Sequence, residues 1–192
     1  MITTTLSLTR KPAATRRRGF TLVEVMVAST LASFVLAGVL STFLFLGRSG
    51  ANLRNYSDME TQARKALETF AEDVRQASAI SWTSATNVTL TVNAVAVSYT
   101  YDSTNGTFAR GTAGTTTTLI TGISANTFSF KSYNVAGTEM PLATAANLTA
   151  AGSSTKQLQI SLEASRNTRT VSSATNLVLS ARYILRNKIV TA

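Results

Sequence analysis

Residues 20–46, FTLVEVMVASTLASFVLAGVLSTFLFL, form an apolar run broken by one charged side chain, Glu24. At about 1.5 Å rise per residue a helix of this length spans roughly 40 Å, enough to cross a hydrocarbon core of about 30 Å. A secretory apolar region is only about 7–15 residues long, so the run predicts a membrane anchor rather than a simple cleaved signal. It also limits the remainder of the chain. A length of 192 residues is a prior for about one domain, and the part beyond residue 46 has room for one modest globular core. Within this run Glu24 demands an explanation, because a charge at mid-bilayer costs roughly 2.5–3.5 kcal/mol even on the lenient insertion scale.

The chain has no Cys and no His. That excludes disulfides, a thiol nucleophile, a Ser-His-Asp triad and any metal site built on thiolate or imidazole. The formal charge of +9 invites a nucleic-acid reading, since basic surfaces attract phosphate. Five of the 18 basic residues, Arg10, Lys11, Arg16, Arg17 and Arg18, precede the apolar run, however, which leaves 13 basic against nine acidic residues. The excess is mainly a flank that the positive-inside rule keeps cytoplasmic. The other basic residues are scattered and not interleaved with aromatics, so nucleic acid is not the expected partner. Residues 1–19 are Thr-rich, basic and free of acids and read as a targeting segment, to be set apart from the fold.

Beyond GRSG at 47–50 the pattern changes. Leu53, Tyr56, Met59, Ala63, Leu67, Phe70, Val74 and Ala77 fall at steps of three and four, one stripe of a helix. Glu60 with Arg64 and Glu72 with Arg75 have spacing that supports it. The amphipathic helix is expected over 47–80, continuous with the membrane segment, with its stripe as one face of a core. From residue 81 the period drops to two. NVTLTV (87–92), VAVSYTY (95–101), TFAR (107–110), TTLI (117–120), TFSFKSY (127–133), KQLQISLEAS (156–165) and NLVLSARYIL (176–185) alternate as half-buried strands do. Asn105-Gly106 marks a hairpin. GTAGTTTT (111–118) and ATAANLTAAGSST (143–155) read as loops. A sheet with one apolar face needs a cover, and the stripe supplies it. The predicted fold is α+β, a long N-terminal helix packed on an antiparallel sheet that occupies 81–192.

No active site emerges. DSTNG (102–106) lacks the alternating carboxylates and terminal Glu of a calcium loop and reads as a turn. Trp82 reads as core, and no acids are spaced for paired-carboxylate catalysis. No catalytic residue, cofactor or metal is expected.

Basic residues, then Gly19, then Phe20-Thr21-Leu22-Val23-Glu24 and an apolar helix make RGFTLVEVMVA, which resembles the class III leader and N-terminus of type IV pilins and type II secretion pseudopilins. The resemblance implies processing by a prepilin peptidase, which cuts after Gly19 on the cytoplasmic side, behind Arg16, Arg17 and Arg18, and methylates the new amine of Phe20. A small residue at Gly19 suits close approach of the scissile backbone, and N-methylation keeps the positive charge. The same resemblance accounts for Glu24, the fifth residue of the mature chain. In a filament packed through apolar helices its carboxylate pairs with the Phe20 ammonium of an adjacent subunit, and one buried polar contact selects one stagger among many.

Further on, ALETFAEDVRQAS (66–78), VSYTYDSTNGTFAR (97–110) and the closing NLVLSARYILRNK (176–188), with Arg186-Asn187, look like minor pilins of the PilW type and J-type pseudopilins. The Cys pair and the helix-breaking Pro of many major pilins are missing, and Ser41 stands in that half of the helix. The expected role is therefore a low-copy structural subunit in the bacterial inner membrane, N-terminus cytoplasmic and C-terminal domain periplasmic. It joins or primes a type IV pilus or pseudopilus, and its partners are the peptidase, other pilins and inner-membrane lipid. The alternative is a DNA- or surface-binding subunit of a competence or adhesion filament. A clustered basic face among Lys131, Lys156, Arg166, Arg169 and Arg182 would favour it.

Overall fold

A computed structural model describes residues 19–168 and 171–190. The chain divides between Phe45 and Leu46 into two compact units. In the first, the described residues are Gly19, Phe20, Thr21 and the N-terminal part of helix α1 (Leu22–Gln76), and every one of them is exposed. Ser29, Thr30, Ser33 and Thr42 turn their hydroxyls back onto helix carbonyls three or four residues earlier. Small polar residues thus sit in an apolar helix without unsatisfied donors.

The second unit contains the rest of α1 and two antiparallel sheets, an α+β, pilin-like arrangement as expected. Strands β1 (Ala79–Ser84), β2 (Asn87–Val92), β3 (Val95–Asp102), β4 (Thr107–Thr112) and β5 (Thr115–Thr121) form a meander in chain order. The other sheet is ordered β7-β6-β8-β9, from β6 (Ser129–Tyr133), β7 (Glu139–Met140), β8 (Gln157–Thr168) and β9 (Val171–Ile184). Sequence periodicity finds strands but not their grouping, and it takes the two sheets for one. A short bridge joins them just past β5. Ile123 pairs with Ala164, Ser165 N–H donates to the Gly122 carbonyl at 2.7 Å, and Ser124 N–H to the Glu163 carbonyl at 2.8 Å.

Two stretches expected as loops are ordered elements. Residues 111–118 end β4 and begin β5 around a two-residue turn, with Ala113 and Gly114 at φ 47° and 82°. Positive φ at both positions matches the twist of a hairpin, so the threonines are left free to pair. ATAANLTAAGSST holds helix α2 (Ala145–Ser154). Thr144 Oγ1 caps it by accepting from Asn147 N–H, and Ala151 is buried beneath it. Alanine's helix propensity and one cap outweigh the small polar residues that suggested a loop.

The α1 stripe is core from Met59 onward: Met59, Ala63, Ala66, Phe70, Ala71 and Val74 are buried, whereas Leu53 and Tyr56 remain exposed. Phe70 joins the two sheets. Its ring lies 4.9 Å from Tyr99 on β3, 6.0 Å from Phe130 on β6 and 5.8 Å from Tyr183 on β9. Trp82 is in the same core. α1 ends at Gln76 and β1 begins at Ala79, so the buried Ala77 has left the helix. Asp102-Ser-Thr-Asn-Gly106 is a turn. The Asp102 carboxylate accepts from the Asn105 side chain and from the Asn105 and Thr104 backbone N–H groups, and these bonds hold its pKa below the usual carboxylate range.

Candidate functional site

Gly19 and Phe20 precede the first turn of α1, and Phe20 is 87% exposed. A Cβ built on Gly19 would meet nothing within 4 Å. The fold of this chain therefore gives no reason for glycine there. Arg16, Arg17 and Arg18 lie outside the described residues.

Thr21 and Glu24 form a reciprocal pair at the start of α1. Thr21 Oγ1 accepts from Glu24 N–H at 3.2 Å, while Glu24 Oε2 accepts from Thr21 N–H and from Thr21 Oγ1–H, each at 2.9 Å. This is a capping box: two of the orphan donors at the helix start are satisfied by side chains three residues apart. A carboxylate there also meets the positive end of the helix dipole. Glu24 is thus held by its own chain, a role that pairing between subunits does not require. The Thr-x-x-Glu spacing in front of an apolar run was the signal for it. Among the described residues Glu24 Oε1 takes no hydrogen bond.

Behind this cap the helix keeps its apolar side chains in the open. Leu22, Val23, Phe34, Phe43 and Phe45 are all largely exposed, and by length and composition α1 is able to cross a membrane. Gly19-Phe20, a capped acid and an uncovered apolar helix follow one another without a break.

Residues 14–40 match the prokaryotic N-terminal methylation motif. The motif marks the class III leader of type IV pilins and pseudopilins, and such a leader implies processing by prepilin peptidase and assembly with other pilins. With the exposed apolar helix it fits a membrane-anchored structural subunit. The match covers the N-terminal segment only, and the sheet domain lies outside it. No curated protein matches the chain.

In the domain, the charged groups that the structure brings together are structural. Asp73 on α1, 7% exposed, accepts from Tyr99 Oη at 2.6 Å and from Arg110 Nε at 2.7 Å. Burial and then the Asp73 carboxylate push the Tyr99 phenol up, beyond the ordinary tyrosine range, and the same carboxylate raises Arg110. Glu60 pairs with Arg64 at 3.1 Å, whereas Glu72 accepts from Gln76 and not from the Arg75 that its spacing suggested. The closing residues cap two helices. Asn187 Nδ2 donates to the Gln76 carbonyl at the end of α1, and Lys188 Nζ donates to the carbonyls of Gly152, Ser153 and Thr155 at the end of α2. Burial and the nearby Lys156 hold Lys188 below the usual lysine range.

The basic residues weighed for DNA are separately engaged. Lys131 pairs with Glu139, Lys156 donates to the Lys188 carbonyl, Arg166 to Thr121, and Arg182 stacks on the Tyr133 ring at 3.6 Å. Arg169 lies outside the described residues. Lys131 and Arg182 lie in one cross-strand row with Gln159 between them, whereas Lys156 and Arg166 are engaged elsewhere.

Proposed function

We propose that the chain is a minor pilin or pseudopilin, most like the PilW type or the J type, cleaved after Gly19, N-methylated at Phe20, and joined through its apolar helix to a type IV pilus or type II secretion pseudopilus. The methylation motif at the head of an uncovered apolar helix carries this reading. Anchored in the inner membrane, the subunit keeps its sheet domain on the periplasmic side. The capping box gives Glu24 two states. Before assembly Thr21 shares its charge and lowers its cost in lipid. In the filament Oε1, free in the single chain, takes the Phe20 ammonium of a neighbour and fixes the stagger.

Intact-mass and N-terminal mass spectrometry of the chain from membranes of its native host tests the proposal. A mature chain that begins at methylated Phe20 is the expected result. A chain that retains residues 1–19 in cells with active prepilin peptidase would overturn it.

A further inference from the structure

β9 is the outermost strand of its sheet and runs for 14 residues. One hydrogen bond shows which of its backbone groups are free. Leu185 N–H donates to the Lys156 carbonyl at 2.9 Å, and Gln157 lies opposite Ile184. In an antiparallel ladder this makes Leu158 and Tyr183 a hydrogen-bonded pair, with alternation from there on. Leu177, Leu179, Ala181 and Tyr183 thus bond β8. Asn176, Val178, Ser180, Arg182 and Ile184 turn their N–H and C=O outward, where no strand pairs with them among the described residues.

Such a row is a template for another strand, and proteins ordinarily blunt it with Lys, Pro, a bulge or a cover. The other edges here are short or attended to. α2 lies against β1, with Gly152 facing the Ile80 carbonyl; β7 has two residues; β5 shows only threonines over its first four residues and then enters the bridge to β8. From Asn176 to Ile184, β9 has no Pro, no Lys and no register shift, its Arg182 is drawn onto Tyr133, and Val178 is 76% exposed. The core side of that edge is also open. Leu67 and Tyr183 floor a cleft of about 450 Å³ rimmed by Arg64, Glu68, Glu72 and Arg75. The helix-on-sheet layer stops one strand short of closing it.

We infer that β9 receives a strand from a different subunit of the same filament, added along Asn176 to Ile184, with alternate apolar side chains entering the cleft beside Leu67 and Tyr183. The free main-chain groups select an extended peptide. The apolar floor selects the alternation, and two Arg with two Glu on the rim give no preference for an anion. A second copy is set aside because the chain is read as a minor, low-copy subunit and its β5 edge is TTTT, without apolar residues to fill the cleft; its own β9 is the competing donor that the crosslink separates. The inference rests on the reading of the chain as a filament subunit.

A photo-crosslinking residue at Val178, in the full chain in its native host, tests it, with a second placed at Thr89 on the outer face of β2 as a control. Processing at Phe20 and presence in sheared filaments are scored on the same samples. The expected product at Val178 joins the chain to an extended segment of another subunit that carries a class III leader. Ser180→Pro removes an outward N–H without touching the β8 ladder and should cut that product about tenfold, with processing unchanged. Val178→Lys, scored with the crosslinker at Ile184, should do the same without proline. A processed, incorporated chain that crosslinks no better from Val178 than from Thr89 overturns the inference and spares the filament reading. So does a product joining two β9 strands of this chain, or a product that persists in both variants. An unprocessed chain overturns both.

Discussion

Arg110 Nε lies 2.7 Å from Asp73 Oδ2, tying β4 to the last turns of α1 across 37 residues of sequence. Asp73→Ala would leave a partly buried guanidinium and the Tyr99 hydroxyl without their acceptor. The expected loss is about 3 kcal/mol in denaturant unfolding of the full chain. Arg110→Met in the same background should restore part of it, because no unpaired charge then remains.

Tyr99 predicts a loss of stability in alkali. Its folded pKa is raised by burial and by Asp73, so the folded state holds a proton that the unfolded state releases from about pH 10. The stabilisation is complete below that pH and drains away as the pH climbs toward the folded value. Thermal unfolding followed from neutral pH upward should show the decline, and Tyr99→Phe should flatten it. An equal decline in that variant would assign the effect to other groups.

At the head of α1, Thr21→Val and Glu24→Ala should behave differently. Thr21→Val removes the cap, worth about 1 kcal/mol, and leaves the carboxylate able to meet a neighbour. Reduced incorporation that is partly retained is expected. Glu24→Ala should leave cleavage after Gly19 intact and impair incorporation more strongly, as read by complementation and by recovery in sheared filaments. Normal incorporation of Glu24→Ala would remove the pairing role.

Lys188→Met keeps the length of the side chain but leaves the Gly152, Ser153 and Thr155 carbonyls without their shared donor. Of these only the Thr155 carbonyl is buried, and one orphaned buried acceptor costs about 1–3 kcal/mol. Faster amide exchange in the last turn of α2, with β2 and β3 unchanged, is the expected signature.

Gly122→Ala tests the joint between the sheets. Gly122 has φ +76°, and an added Cβ would stand 2.7 Å from the Ser165 carbonyl oxygen. The left-handed backbone alone costs a side chain about 1–2 kcal/mol, and the clash falls on backbone that cannot swing aside. A loss of at least about 2 kcal/mol in unfolding free energy should follow.

Much of the fold was written locally. The apolar run, the helix stripe, the period-two strands and the Asn105-Gly106 turn depend on near neighbours in sequence, and all reappear in the structure. The exceptions have local causes too, but weaker ones. Thr144 and a run of alanines made α2 where small polar residues suggested a loop, and the Ala113-Gly114 turn extended two strands into a threonine tract. At the site, RGFTLVEVMVA was legible from its order of residues, whereas the cap of Thr21 with Glu24, though signalled by a spacing of three, emerged only from the structure.

The amino-acid order by itself determined the leader, the anchor and the α+β class, because hydropathy and periodicity act within a few turns of chain. Tertiary structure decided which polar residues are buried and which backbone is left unpaired. Asp73 sits among Glu68, Glu72 and Arg75 like any surface acid, and only the approach of β3 and β4 gives it Tyr99 and Arg110. Asn187 and Lys188 look like a polar tail until folding sets them against the carbonyl ends of α1 and α2. β9 alternates like its neighbours, yet among the described strands it alone ends its sheet with a long row of unpaired groups, since strand order is fixed by long-range pairing that no local pattern encodes.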